Sequence, residues 1–277
     1  MTIHAHPDDE SSKGAGSVAL YSDAGVTATL VCCTGGEEGD ILNPAMDRPE
    51  IKQNIAKVRQ EELAKAANII GYKRVHYLGY RDSGMPDTEA NKNPDCFANA
   101  PLDEAVGRLV KIIREEKPHV IVTYPDDQQG YQHPDHLKVF DISLPAWEAA
   151  GDPLKFPEFG DPWTPLKLYY TTWSRARIEA LHDMFIKLNI EAPFTDAWFD
   201  RPSQDHRITT KIAVSKFSQR RSDALLAHAT QVDPNSPFWF GLPSEKSAEA
   251  YPWDDYILAF SRVGQICNES DLFEGVK

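Results

Sequence analysis

Apolar residues in the first half of the chain recur in two alternating textures. Val26 to Cys33 is an unbroken apolar and β-branched run, the pattern of a strand buried on both faces. His119 to Tyr124 reads as another buried strand, and Arg74 to Tyr80 reads as a strand. Between the first two strands, Pro49 to Ile70 carries Ile51, Ile55, Val58, Leu63, Ala66 and Ile70 near helical spacing, with Gly71 as a stop. Leu102 to Glu116 sets Val106, Leu109, Val110 and Ile113 on one helical face and ends before Pro118. Gly14 to Tyr21 predicts a shorter helix, closed by Ser22-Asp23-Ala24-Gly25. Strand and helix in alternation predict right-handed parallel βαβ units. The fold class expected is α/β, a Rossmann-like and mainly parallel sheet flanked by helices.

The texture changes after Gly151. Pro153, Pro157, Pro162 and Pro165 break the chain, with Phe156, Phe159 and Trp163 between them. Leu168 to Trp173 and Ile208 to Val214 read as strands, and Ile178 to Leu188 and Lys216 to Thr230 as helices. Residues 232–277, rich in aromatics and proline, support no assignment. This half is expected to be a smaller α+β extension.

Composition narrows the setting. At 277 residues and 31.1 kDa the chain suits one large α/β domain. No run approaches the ~20 apolar residues of a membrane helix, and no charged-then-apolar leader opens the sequence. The net charge of −13 comes with no basic stripe, which argues against nucleic-acid binding. Cys32, Cys33, Cys96 and Cys267 have irregular spacing that makes no disulfide framework, so a reducing cytoplasm is expected. Oligomeric state leaves no mark on the sequence.

Chemistry concentrates in two clusters. His4-Ala5-His6-Pro7-Asp8-Asp9-Glu10 follows the first short apolar run, and Tyr131-Gln132-His133-Pro134-Asp135-His136 follows the strand ending at Tyr124. So many imidazoles and carboxylates would make poor core, but they are ordinary ligands for a divalent cation. Both clusters fall at the carboxyl end of a strand and open a helix, where such sheets bind ligands. The plain alternative, His6 and Asp9 as mere helix caps, would explain one such run better than two.

The intact His-Pro-Asp-Asp-Glu and His-Pro-Asp-His runs resemble the LmbE-like (PIG-L type) deacetylase family. Thr34-Gly35-Gly36-Glu37, Ile41-Leu42-Asn43-Pro44-Ala45-Met46-Asp47, Asp82-Ser83-Gly84 and Ala227-His228-Ala229-Thr230-Gln231 extend the resemblance across most of the chain. Two departures stand out. The first strand is stunted, as though the start were several residues short, and the family's Gly-Gly-Tyr is Gln129-Gly130-Tyr131 here.

The resemblance implies that His6, Asp9 and His136 hold one divalent metal per chain, Zn2+ or alternatively Fe2+. Three ligands leave a fourth position for water, whose pKa zinc can lower to about 7. It implies Asp8 as general base, with N-capping or ligand support as the plain alternative. His133 is then the group that stabilises the oxyanion and protonates the leaving amine, with Tyr131 a further donor and Asp135 orienting an imidazole. Glu37, Arg59 and Asp82 would bind the sugar. Their plain alternatives are a solvated turn, a helix-surface partner of Glu62, and a turn former before Ser83-Gly84. His4 and His228 read as structural, the latter a satisfied interior residue.

Lys13 stands apart. In a helix opening near Asp9 it would lie in the first turns, where the macrodipole mildly disfavours a cation. Within the family, lysine here is typical of members acting on thiol conjugates, so Lys13 is expected at the substrate. The implied reaction is hydrolysis of a linear amide by a zinc-dependent enzyme. A mycothiol S-conjugate would yield a mercapturic acid and glucosaminyl-inositol; the alternative is deacetylation of N-acetylglucosaminyl-inositol or a related N-acetylated amino sugar. The organisation expected is a metal-binding core over residues 1–150, with residues 151–277 completing the sheet and the substrate pocket. Phe156, Phe159, Trp163, Phe194, Trp198 and Phe199 are expected partly as core cover and partly as that pocket's lining.

Overall fold

A computed structural model describes residues 1–128, 130–264 and 268–276. The chain runs through β1 (Thr2–His4), α1 (Asp9–Ser12), α2 (Ala15–Asp23), β2 (Thr29–Thr34), α3 (Pro49–Lys52), α4 (Ile55–Ile70), β3 (Arg74–Tyr80), α5 (Leu102–Glu116), β4 (Val120–Thr123) and α6 (Pro134–Ala149). It continues through β5 (Lys167–Thr172), α7 (Arg175–Lys187), α8 (Asp196–Phe199), β6 (Thr210–Ala213), α9 (Ser218–Ala227), α10 (Pro237–Phe240), α11 (Ser244–Ala250) and β7 (Trp253–Ser261).

The seven strands among the described residues form one sheet in the order β3-β2-β1-β4-β5-β7-β6. The first five are parallel, and β7 lies antiparallel between β5 and β6. The expected Rossmann-like architecture is therefore present. Alternate side chains send the sheet's apolar surface to both faces. Ile3, Val31, Cys33 and Ile121 pack against α5 and α6, whereas Leu30 and Cys32 meet α2, α4 and α9. Cys32 and Cys33 thus point to opposite faces, as their adjacency in a strand requires. Cys267 and Gln129 lie outside the described residues.

Short β1 sits at the centre of the sheet, paired to β2 on one side and β4 on the other. From it the chain winds one way to β2 and β3, and from β4 the other way to β5. That reversal opens a crevice at the strands' carboxyl ends, and both chemical clusters emerge into it.

Several boundaries differ from the pattern, each for a local reason. The expected helix over Pro49 to Ile70 breaks at Gln53-Asn54, where the Asn54 amide donates to the Glu50 carbonyl and competes with the helical ladder. The helix over Lys216 to Thr230 is regular only from Ser218 to Ala227. Beyond it the chain turns so that Thr230 can donate through both backbone and hydroxyl to buried Glu62. The longest strand, β7, lies within the stretch that supported no assignment. Its second and third residues are Asp254 and Asp255, both buried, so its polar start masks a strand.

Candidate active site

The first cluster leaves β1 through a strained turn. Asp8 has φ 105° and ψ −27°, a backbone region costly for a residue with a Cβ. Its amide is held there by donating to Glu10 Oε2 at 3.0 Å. Within the second cluster, His133 caps α6. Its Nδ1 accepts from the Asp135 amide at 3.2 Å. In neutral His133 the proton must therefore sit on Nε2. Burial, and after it the nearby His6, lowers the His133 pKa, so the neutral form is favoured.

Two overlapping sets of donor atoms converge here: His6, Asp9 and His136, and His6, Asp82, His133 and Asp135. The second set is satisfied by its own hydrogen bonds. His6 Nε2 donates to Asp135 Oδ2 at 3.0 Å, the Ser83 amide reaches the same oxygen at 3.0 Å, and the Ser83 hydroxyl takes Asp135 Oδ1. Asp82 accepts from the Gly84 amide at 2.8 Å and the Glu38 amide at 3.3 Å.

The first set is spaced differently. Asp9 Oδ2 stands 3.5 Å from His6 Nδ1 and 3.4 Å from His136 Nε2. Those are long for hydrogen bonds, yet tetrahedral bonds of 2.0–2.1 Å to a zinc ion would put neighbouring ligands about 3.4 Å apart. With Nε2 occupied by Asp135, His6 presents Nδ1 to Asp9, and in the neutral ring that nitrogen carries the lone pair a cation needs. The three residues fit a divalent cation, and Asp135 orients His6 as such ligands require. Tyr124 stacks on the His136 ring with centroids 4.5 Å apart and braces it from behind.

Asp8 faces the same space from the other side of the turn. Its Oδ2 accepts from Arg59 Nη2 at 3.1 Å. Burial raises the Asp8 pKa and the Arg59 charge opposes that rise. Arg59 is buried, not on the helix surface with Glu62. It donates to the Pro7 carbonyl at 2.6 Å and to that of Gly36. A Cβ on Gly36, whose φ is +67°, would meet the guanidinium at 2.5 Å, so only glycine fits. Beneath the turn, His228 Nε2 and Glu10 Oε1 lie 2.7 Å apart with no exposure. His228 is therefore an interior residue, but one tied to the turn that carries Asp8.

A cavity of about 740 Å³ joins these groups. Asp8, Asp9, His133, His136 and Tyr131 form its polar floor, and Trp173, Trp198, Phe238 and Trp239 its apolar wall. Tyr131 is more than half exposed, with its ring centroid 5.2 Å from that of His136. Arg59 and Asp82 reach the cavity, and Asp82 Oδ1 is 3.6 Å from His6 Nε2. Glu37 instead accepts from the Asp82 amide at 3.3 Å, and it is Glu38 that lines the cavity.

Lys13 also borders the cavity, but the macrodipole argument for it fails. The helix from Asp9 ends at Ser12, so Lys13 is its C-cap, the end a cation favours. Its Nζ pairs with Asp9 Oδ1 at 2.6 Å. Of the six loop aromatics expected to cover core or line the pocket, only Trp198 is part of the cavity wall. Phe156 and Phe159 press on Gly107 of α5, Phe156 and Trp163 pack on the main core, and Phe194 and Phe199 belong to a separate core around α7. The wall's Trp173, Phe238 and Trp239, together with Glu10 beneath the turn, were missed. Trp173 ends an expected strand, and Phe238 and Trp239 lie in the unassigned stretch.

A Rossmann-like sheet with a cation-ready His, Asp and His set at its strand reversal defines a class that the comparisons make specific. Residues 1–147 match the PIG-L family, described as GlcNAc-PI de-N-acetylase, and the chain belongs to that family. It is 42% identical to the mycothiol S-conjugate amidase of Streptomyces coelicolor, over 100% of this chain and 97% of that protein. It is 38% identical to the 1D-myo-inositol 2-acetamido-2-deoxy-alpha-D-glucopyranoside deacetylase of Streptomyces avermitilis, over 100% of this chain and 96% of that one. Among solved structures, protein TT1542 from Thermus thermophilus shares the fold at TM-score 0.59 and 19% identity, covering 95% of this chain and 96% of its own. The family resemblance carried by the two motifs is borne out. Among the described residues, no helix is long and apolar enough to cross a membrane.

Proposed function

We propose that this chain is an amidase that hydrolyses mycothiol S-conjugates, releasing a mercapturic acid and glucosaminyl-inositol. The observation that carries this reading is the cavity wall. A deacetylase needs room for only a methyl group beyond the scissile carbonyl. Here about 740 Å³ continues from the His and Asp floor to Trp173, Trp198, Phe238 and Trp239, a surface suited to the apolar group on a conjugate's sulfur. The higher identity to the amidase than to the deacetylase points the same way. The second reading, deacetylation of N-acetylglucosaminyl-inositol, rests on the other relatives and on the shared floor.

In this reading His6, Asp9 and His136 hold one divalent cation, with zinc the metal we propose and ferrous iron the alternative. Bound there, the cation supplies Lewis-acid polarisation of the amide carbonyl and a more acidic water. Asp8 takes the proton from the attacking water. The new C–O bond forms as the carbonyl π pair moves onto oxygen, where His133 Nε2–H and the Tyr131 hydroxyl donate. Asp8 then returns the proton to the amine nitrogen as the C–N bond breaks. His133 is a donor in this scheme and not the proton source, because its Nδ1 is committed to the Asp135 amide. Arg59 and Asp82 hold the sugar side, Arg59 also fixing Asp8, while Glu37 acts through the Asp82 amide it holds and Glu38 stands at the cavity.

The deciding experiment compares kcat/KM for a bulky mycothiol S-conjugate with that for N-acetylglucosaminyl-inositol. The conjugate is expected to win by at least about tenfold, equivalent to about 1.4 kcal/mol of transition-state binding. Equal values, or a preference for the acetyl sugar, would put the deacetylase reading first.

A further inference from the structure

Behind the aromatic wall lies a second, smaller cavity of about 70 Å³, between α7, α9 and α11. Trp173, Phe238 and Trp239 face both cavities, so the two share a partition. The composition of the inner one is unlike that of the molecule. The chain carries a net charge of −13, yet the titratable side chains here are Arg177, Arg221, Tyr251 and Asp254.

The two guanidiniums flank the same indole, Arg177 at 4.8 Å and Arg221 at 6.0 Å from the Trp173 ring centroid. Asp254 is an incomplete counterion for both. Its Oδ2 accepts from the Ser17 amide and hydroxyl at 2.9 Å each, and its Oδ1 is 3.6 Å from Arg177 Nη1. Arg177 Nε is buried with no partner. Arg221 has no hydrogen bond or ion pair among the described residues, only the faces of Trp173 and Trp239. Burial, and then the Arg177 charge, push its pKa down. A guanidinium nevertheless keeps its proton at neutral pH, so the cavity holds a partly buried cation that Asp254 compensates only in part.

An uncompensated buried charge is costly, and partners of opposite sign remove that cost. The rest of the lining is built to help. Ser215, Ser218 and Ser247 bring hydroxyls, whereas those of Ser222 and Ser244 already donate to the Ser218 carbonyl and to Gln219 Oε1. We propose that this cavity is a binding site for a small oxyanion, a carboxylate or inorganic phosphate, held between Arg177 and Arg221. The site is separate from the reacting groups and does not depend on which amide the enzyme cleaves.

Trp173 and Trp239 make the site readable by their fluorescence. The metal-loaded protein is titrated with potassium phosphate, and separately with potassium acetate, against chloride at fixed ionic strength. A saturable change is expected with at least one anion, and the tighter of the two identifies the oxyanion class. Arg221→Gln and Arg177→Gln should each weaken it at least tenfold. His136→Ala should leave it unchanged, which excludes binding at the metal ligands. Melting temperature gives a readout that does not need the binding signal. In chloride, Arg221→Met should melt no lower than the parent, because it removes an unpaired charge, and phosphate or acetate should stabilise the parent alone. No saturable change with either anion, a change indifferent to both arginine variants, or one lost in His136→Ala overturns the proposal.

Discussion

His228 and Glu10 stand 218 positions apart in the chain and 2.7 Å apart in the fold, with neither side chain exposed. Through Glu10 the pair reaches the Asp8 amide, so a histidine at the end of α9 steadies the turn that presents a candidate base. Removing one partner of a buried pair costs about 3–5 kcal/mol, and His228→Ala should lose stability on that order.

The same pair predicts a pH signature. Burial opposes the charge on His228, but Glu10 more than compensates and raises its pKa above 6.5, while the Glu10 pKa falls below 4.5. The histidine's share of the stability is complete below 6.5 and fades as pH rises through its folded value. The glutamate's share is complete above 4.5 and fades as pH falls through its own. The melting-temperature gap between the parent and His228→Gln should therefore be widest between about 4.5 and 6.5. A gap that kept growing toward pH 9 would contradict this.

Metal content separates ligands from neighbours. His6→Ala, Asp9→Ala and His136→Ala should each lose most of the bound metal, as should the parent treated with a chelator. Asp8→Ala should retain it and lose two to four orders of magnitude in turnover, the usual worth of general acid–base catalysis. Elemental analysis beside single-turnover rates reads both at once. Metal loss in Asp8→Ala as deep as in Asp9→Ala would exchange the roles of the two carboxylates.

Asp135→Asn should weaken metal retention about 10–100-fold without unfolding the protein, because an amide no longer enforces the His6 tautomer. Competition with a fluorescent chelator measures this, and an affinity equal to the parent's would leave Asp135 a mere helix-cap neighbour.

The aromatic wall carries the prediction about specificity. Trp239→Ala should raise KM for a bulky S-conjugate and leave the N-acetyl sugar almost untouched. Lys13→Ala should narrow the gap between the two substrates. Because Lys13 also pairs with Asp9, its metal content must be checked alongside.

What could be read from sequence follows a physical divide. The buried strands β2 and β4 are continuous apolar runs, β3 is a strand-like run at the sheet's edge, and ligand pairs at strand ends are close in sequence, so these strands and the two His-Pro-Asp runs were all legible. Features made by distant residues were not. Glu10 reads as one more charge until His228 arrives from α9 to pair with it. The aromatics of 151–163 sit in proline-broken chain, which suggested a pocket, but Phe156 and Trp163 complete the main core. Apart from Trp198 of α8, the wall comes from α10 and from Trp173 just past β5, and α10 shares its unassigned stretch with β7. Asp254 and Asp255 hid that strand, because their carboxylates are satisfied by Ser17 and by Ser174 with Tyr251, partners no local pattern reveals.

The placement of β7 also sets a timetable. β5 ends at Thr172, and the strand that covers its free edge does not begin until Trp253, about eighty residues later. During synthesis the parallel strands β1 to β5 can assemble with their helices while one border of the sheet stays bare. Such a border invites pairing with other chains. The insertion of β7 seals it and, in the same event, gives β6 its only strand neighbour among the described residues. The half that carries the His and Asp residues can thus exist before the half that walls them in, and a nascent chain arrested before Trp253 should need a chaperone to remain dispersed.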